Sequence, residues 1–137
     1  MDLFNLLIEF KKENASLLIF KSNTTKIYHF KGIKQLLILE KEGLLTDSII
    51  IDKVVGEAAS SIFINAKAKK IYTPLISMKA KKLLTENKIP FSYEKEVTHI
   101  LNKDKNDICP MERLVSNKIT YKEKYLALSE FFKKSLS

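Results

Sequence analysis

Cysteine and arginine each occur once in these 137 residues, at Cys109 and Arg113, four positions apart. A single cysteine excludes an internal disulfide and makes a reducing, cytoplasmic setting the expectation. Glycine and proline occur three times each, with no Gly/Ser-rich linker, repeat or low-complexity tract. Nothing therefore divides the chain, and the expectation is one domain over residues 1–137. No apolar run approaches the ~18 residues of a membrane span. The opening stretch, MDLFNLLIEFKKENA, is apolar at 3, 4, 6, 7, 8 and 10 but is broken by Asp2 and Glu9. It lacks a basic leader and a small-residue cleavage site, so residues 1–14 read as a flanking helix rather than a signal peptide.

What the chain has in excess is lysine. Of 24 basic residues, 23 are Lys, against 16 acidic residues, for a net charge of +8. The charge is uneven: residues 1–65 are neutral overall and residues 66–137 carry the whole excess. A basic half suits nucleic acid or an anionic ligand. Lysine, however, is a flexible point charge, whereas base readout and bidentate phosphate gripping favour arginine. A solvated lysine-rich surface accounts for the same pattern.

Periodicity organises the chain further. SLLIFKSNTTKIYHF holds two β-rich runs, 16–21 and 26–30, about a turn at Ser22–Thr25, which predicts a hairpin. KGIKQLLILEKEG predicts a helix stopped at Gly43. DSIIIDK is a short continuous apolar run, as in a strand buried on both faces. VVGEAASSIFINA reads as a helix from about Val54, KIYTPLIS as a strand, and MKAKKLLTENK as a helix capped by Ser77. IPFSYEKEV is a further strand with Pro90 at its start. A short helical stretch is expected at Val97–Leu101, then the loop NKDKND, the CPMERLVSN helix, and a closing helix over 121–136 with apolar positions 121, 125, 128 and 132. This alternation predicts an α/β fold: a three-layer α-β-α sandwich whose mixed sheet has an N-terminal hairpin and then parallel β-α units. Ligands bind such sheets outside the carboxyl ends of the strands.

Hairpin, helix, then β-α-β-α-β is the layout of cytidine-deaminase-like folds, which makes zinc the first chemistry to test. Those enzymes hold zinc with H-x-E at one helix start and P-C-x-x-C at the next. Here the corresponding stretches read DKVVGEA and TPLISMKA, and His29 and His99 have no glutamate two residues on. One cysteine and two scattered histidines do not supply a three-ligand site, so no metal ligands and no cofactor are expected and zinc-dependent deamination is disfavoured.

The stretches DKVVGEAA, LIS before a helix, IPFSYEKEV and above all ILNKDKNDICPMERLV resemble the family known as domain of unknown function 1893. The resemblance spans roughly Ser16 to Val115, and its most specific part is CPME behind an Asn-basic-acidic loop. It implies a cytidine-deaminase-like core over 16–115 without the zinc motifs. It also implies roles for Asp52, Lys53 and Gly56, for Ser77, and for Asn102, Cys109, Pro110 and Glu112. The loop departs from the family pattern, with Asn102-Lys103 where Asn-Arg is usual. No reaction comes with the resemblance.

Each of these residues has a structural and a functional account. Cys109 precedes Pro110 at a helix start, with Glu112 three residues on, as in a capping box. The same position exposes a thiol to the positive end of a helix dipole with Lys103, Lys105 and Arg113 nearby in sequence, while Asp107 and Glu112 oppose a thiolate. Arg113 supplies the one planar fork for a carboxylate or phosphate. Gly56 either packs helix on sheet or lets an anion approach the first turn of the helix. Ser77 reads as a cap before it reads as a nucleophile. The leading expectation is a zinc-free binding protein for a small anionic or nucleoside-like ligand, using Asp52, Lys53, Gly56, Ser77, Asn102, Glu112 and Arg113. A Cys109-dependent enzyme or redox sensor is the alternative, and an RNA-associated protein a weaker one. No membrane is implied. Self-association into a homo-oligomer through the aromatic terminal helix (Tyr121, Tyr125, Phe131, Phe132) competes with that helix covering its own fold.

Overall fold

The computed structural model describes residues 2–30 and 32–136. Met1, in the expected 1–14 helical stretch, and Lys31, at the head of the next, lie outside them.

Helix α1 (Leu3–Lys12) starts on Asp2, whose side chain accepts from the Asn5 N–H at 3.0 Å. Strands β1 (Leu17–Lys21) and β2 (Thr24–Tyr28) form the hairpin. Its turn is tighter than the sequence suggested, only Ser22–Asn23. Both residues have positive φ, 51° and 60°, the left-handed pair that matches strand twist in two-residue hairpins. Helix α2 (Ile33–Lys41) is followed by Gly43 at φ +77°, where a left-handed residue ends the helix.

Strand β3 (Ile49–Asp52) pairs antiparallel with β1 and parallel with β5 (Lys70–Ser77). Val54–Val55 is strand β4, lying on the same β5 from Leu75 to Ile76. The helix expected from Val54 therefore begins later: α3 runs Glu57–Ala66 with Gly56 as its N-cap. The β-branched pair favours the extended ladder over a first helical turn. Between β3 and β4 the ladder is interrupted at Asp52-Lys53. Opposite lies Thr73-Pro74, and proline has no N–H to give. Thr73 instead closes locally, its hydroxyl accepting from the Leu75 N–H at 3.2 Å. Helix α4 (Met78–Glu86) follows β5 directly, and β6 (Phe91–Val97) adds a second parallel partner to β5.

The result is an α/β protein with a mixed, open six-stranded sheet between helical layers. One sheet face carries Leu17, Ile19, Ile50, Ile71 and Ile76 into the main core with α2, α3, α4 and α6 (Tyr121–Phe131). The other carries Leu18 and Ile51 against Leu6 and Phe10 of α1. Helix α3 is buried almost all round, as expected for a helix sandwiched between a sheet and further helices. Helix α6 starts in a capping box of Thr120 and Glu123 and buries Tyr125 and Leu128, so its apolar face covers its own chain while Phe131 stays exposed. It stops at Phe131, and a separate turn, α7 (Lys133–Leu136), replaces the expected continuous helix. No helix among the described residues is long and apolar enough to cross a membrane.

Candidate functional site

Two helices begin side by side at the carboxyl ends of the central strands, α3 at Gly56 and α4 at Ser77. Ser77 caps α4 as the sequence predicts, accepting from the Ala80 N–H at 3.1 Å. Gly56 offers α3 no side-chain cap. The first amides of α3 instead meet a carboxylate from 55 residues away: Glu112 Oε1 accepts from the Glu57 N–H at 2.7 Å, and Oε2 accepts from Ala58 at 2.8 Å. A Cβ on residue 56 would stand 2.0 Å from Glu112 Oε1. Gly56 has φ −110°, an ordinary extended value, so what requires a glycine is this approach and not the backbone conformation. An anion does sit on the first turn of α3, and it belongs to the chain.

This corrects the capping-box expectation for α5 (Pro110–Val115). Cys109 is its N-cap with Pro110 at the first position, yet neither Cys109 nor Glu112 caps α5 with its side chain. Glu112 turns outward because α3 presents two aligned amides, whereas proline at N1 has already removed one orphan donor from α5.

Beside the half-buried Glu112 lies a second carboxylate, Glu57, which is buried. Lys124 of α6, itself only 4% exposed, reaches Glu57 Oε2 at 2.7 Å and donates to the carbonyls of Val115 at 3.1 Å and Lys118 at 2.5 Å. Lys79 approaches Glu57 from solvent at 3.8 Å. Burial pushes the Glu112 carboxyl above its ordinary value. The two amide bonds pull it down, the Glu57 charge pushes it up, and Lys124 pulls it down.

From Val97 the chain runs over these helix starts. The helical stretch expected at Val97–Leu101 is absent: β6 ends at Val97, and Leu101 instead forms an isolated antiparallel bridge with Ile108. Between this segment and the two helix starts is a cleft of about 200 Å³. Glu57, Ser77 and Lys79 form one wall, and His99, Ile108, Glu112 and Arg113 are on the other.

Of the residues singled out from sequence, Ser77, Glu112 and Arg113 line this cleft, and Gly56 adjoins it through Glu112. Asp52, Lys53, Asn102 and Cys109 are not among its lining residues. Asn102 closes a loop, its side chain bonding Asn106 at 2.8 Å while its own carbonyl accepts from Lys105. Arg113 forms an exposed ion pair with Asp107 at 2.6 Å. Cys109 is half-buried, and its N–H donates to Ile100 O. Lys53 is exposed, with its N–H on Ser16 O. Sequence reasoning passed over Glu57, Lys79, His99 and Lys124. The visible signals were an acidic residue in the first turn of α3, a position Glu and Asp favour, and the placing of Lys124 in the apolar stripe of α6, three residues after Tyr121 and four before Leu128. Among the described residues no three His, Cys, Asp or Glu side chains gather in a group able to hold a metal.

Asp52 is a separate feature. Strand alternation turns it to the same face as Ile50, where loss of water pushes its carboxyl up to about 7, against the pull of bonds from the Val54 and Lys53 amides. A carboxyl raised by folding binds its proton more tightly in the folded state, so its contribution to stability grows as pH falls from above 7 towards 4. Asp52→Asn should therefore stabilise the protein by about 2–3 kcal/mol at pH 8. Raising a carboxyl by one pH unit on folding costs ~1.4 kcal/mol once it is ionised, and a half-buried group recovers part of that by relaxing towards water. The gap should close by pH 4. Urea denaturation at pH 8, 6 and 4 measures it, and a gap independent of pH would contradict the assignment.

The family model for TM1506, a domain of unknown function (DUF1893), matches residues 5–132. The chain belongs to the DUF1893 family. No curated protein is significantly similar to it. Among solved structures, it is similar to the crystal structure of a DUF1893 family protein (TM1506) from Thermotoga maritima, with a TM-score of 0.85 and 32% sequence identity. That match covers 94% of this chain and 89% of the other. The DUF1893 match takes in both helix starts, the overlying segment and Lys124, so the whole cleft lies within the region matched.

Proposed function

We propose that this DUF1893 protein is a zinc-free, deaminase-like binding protein that holds a small anionic or nucleoside-like ligand in the cleft between the starts of α3 and α4 and the segment above them. The observation that carries this reading is the chemistry of the lining. Both carboxylates of the cleft are already engaged, Glu112 by the α3 amides and Glu57 by Lys124. Lys79, paired with Glu57 only at 3.8 Å from the solvent side, and the imidazole of His99 are the groups left to bond a ligand, with Ile100 and Ile108 as an apolar wall against which a flat ring could rest. The cleft is smaller than the ~300–1,000 Å³ of drug-sized sites, which favours a base, a sugar or one phosphate over a dinucleotide.

The test is a thermal-shift series at millimolar nucleosides, nucleoside monophosphates, ADP-ribose and inorganic phosphate, on wild type and on Lys79→Ala and His99→Ala. A ligand at about 100 times its Kd adds ~2.7 kcal/mol of stability, which should raise Tm by several degrees. Lys79→Ala should weaken binding at least fivefold. A panel that shifts nothing, or a shift that both variants retain in full, would remove the reading.

A further inference from the structure

Residues 98–114 are closed upon themselves. Leu101 bridges Ile108, Cys109 N–H donates to Ile100 O at 2.9 Å, and Asn102 N–H donates to Asp107 O at 2.8 Å. Asn102 and Asn106 tie the tip, and Arg113 ties α5 back to Asp107. A segment bonded internally in this way moves as one piece.

Its attachments to the body are of two kinds, fixed ends and a hold between them, and at the near end Val97 of β6 pairs with Ser77 of β5. At the far end Val115 is fully buried in the main core, and its carbonyl accepts from Lys124, as does that of Lys118. That end is fixed. Within the turn before it, Met111 and Leu114 are only partly buried against the core, and the polar hold is Glu112 on the Glu57 and Ala58 amides. This hold is finely balanced, because two amide bonds at a helix start favour the carboxylate while burial and the neighbouring Glu57 oppose it. The segment supplies one wall of the cleft and the body supplies the other.

We propose that residues 98–114 form a hinged strap over the cleft, latched by Glu112 on the first turn of α3 and flexing about its two fixed ends, Val97 and Val115, when that carboxylate is released. Opening uncovers Ser77 and Glu57. What the opening serves rests on the ligand reading above, but the opening itself does not.

Hydrogen exchange of ligand-free protein tests it. In wild type across sub-denaturing urea, amides of 98–114 should exchange through an opening with a shallower urea dependence than those of β5 and residues 60–66 of α3. In Glu112→Ala, exchange in 98–114 should rise at least tenfold and still proceed through the opening with shallow urea dependence, while β5 and 60–66 accelerate only as far as the loss of global stability requires. A strap that exchanges in wild type only with global unfolding overturns the proposal, as does a Glu112→Ala protein whose strap is unaltered or exchanges only through the global unfolding that β5 reports. Should Glu112→Ala fail to fold, the wild-type urea series decides alone. No arm contains ligand, so a failed thermal-shift panel leaves this result standing, and a failed latch leaves the panel to be judged by itself.

Discussion

Gly56→Ala is expected to destabilise the wild-type protein by about 3–5 kcal/mol, and by under ~1 kcal/mol when Glu112 is already alanine. The new Cβ would stand 2.0 Å from Glu112 Oε1. That clash is itself easily relieved, because the carboxylate is the tip of a flexible side chain. The cost lies in what the carboxylate leaves behind. The amides of Glu57 and Ala58 lose charge-assisted bonds of 2.7 and 2.8 Å, each worth ~1.5–3 kcal/mol, at a helix start with no other cap. Glu112→Ala alone should cost about the same, because it vacates the same two donors. Once they are vacated, residue 56 is an ordinary N-cap, where alanine is worse than glycine by ~1 kcal/mol or less. A double-mutant cycle by urea denaturation measures the coupling. Additive costs would mean that Gly56 is required for some other reason, such as close packing of helix on sheet.

The hairpin, the parallel order of the later strands and the Ser77 cap were legible because each rests on signals within a few residues. Alternation marks a strand, and a hydroxyl three residues before an amide marks a cap. Boundaries went astray where tertiary pairing outvoted local preference. Val54–Val55 reads equally well as a first helical turn until β5 offers it a ladder, and Leu101 is drawn out of a helix by its bridge to Ile108. At the site, Gly56 reads as a place where an anion could approach, but the anion lies 56 residues on in Glu112. The local spacing Cys109-Pro110-x-Glu112 pointed to a cap within its own helix instead. Lys124 is easily missed among 23 lysines, although its spacing from Tyr121 and Leu128 sets it on the buried face of α6. Long-range polar partners leave no period in a sequence. They become visible only once the fold brings α3, α5 and α6 together.

Lys124 supplies the second large effect. Its ammonium is almost fully buried and engages Glu57 Oε2 at 2.7 Å and the carbonyls of Val115 and Lys118. Lys124→Met keeps most of the aliphatic stem and its packing but strands Glu57, leaving only Lys79 at 3.8 Å from the exposed side. Removing one partner of a buried pair typically costs ~3–5 kcal/mol, most of it the penalty of the charge left behind, and that loss is expected here. The paired change Glu57→Gln with Lys124→Met removes both charges and should recover at least ~2 kcal/mol of it, even though two carbonyls remain without their donor. Urea denaturation of the two single variants and the double at pH 7 measures the coupling. Recovery would identify charge pairing as the dominant role of Lys124. A double variant as unstable as the sum of the singles would instead mean that Lys124 acts chiefly as the donor that joins the ends of α5 and its following turn to α6.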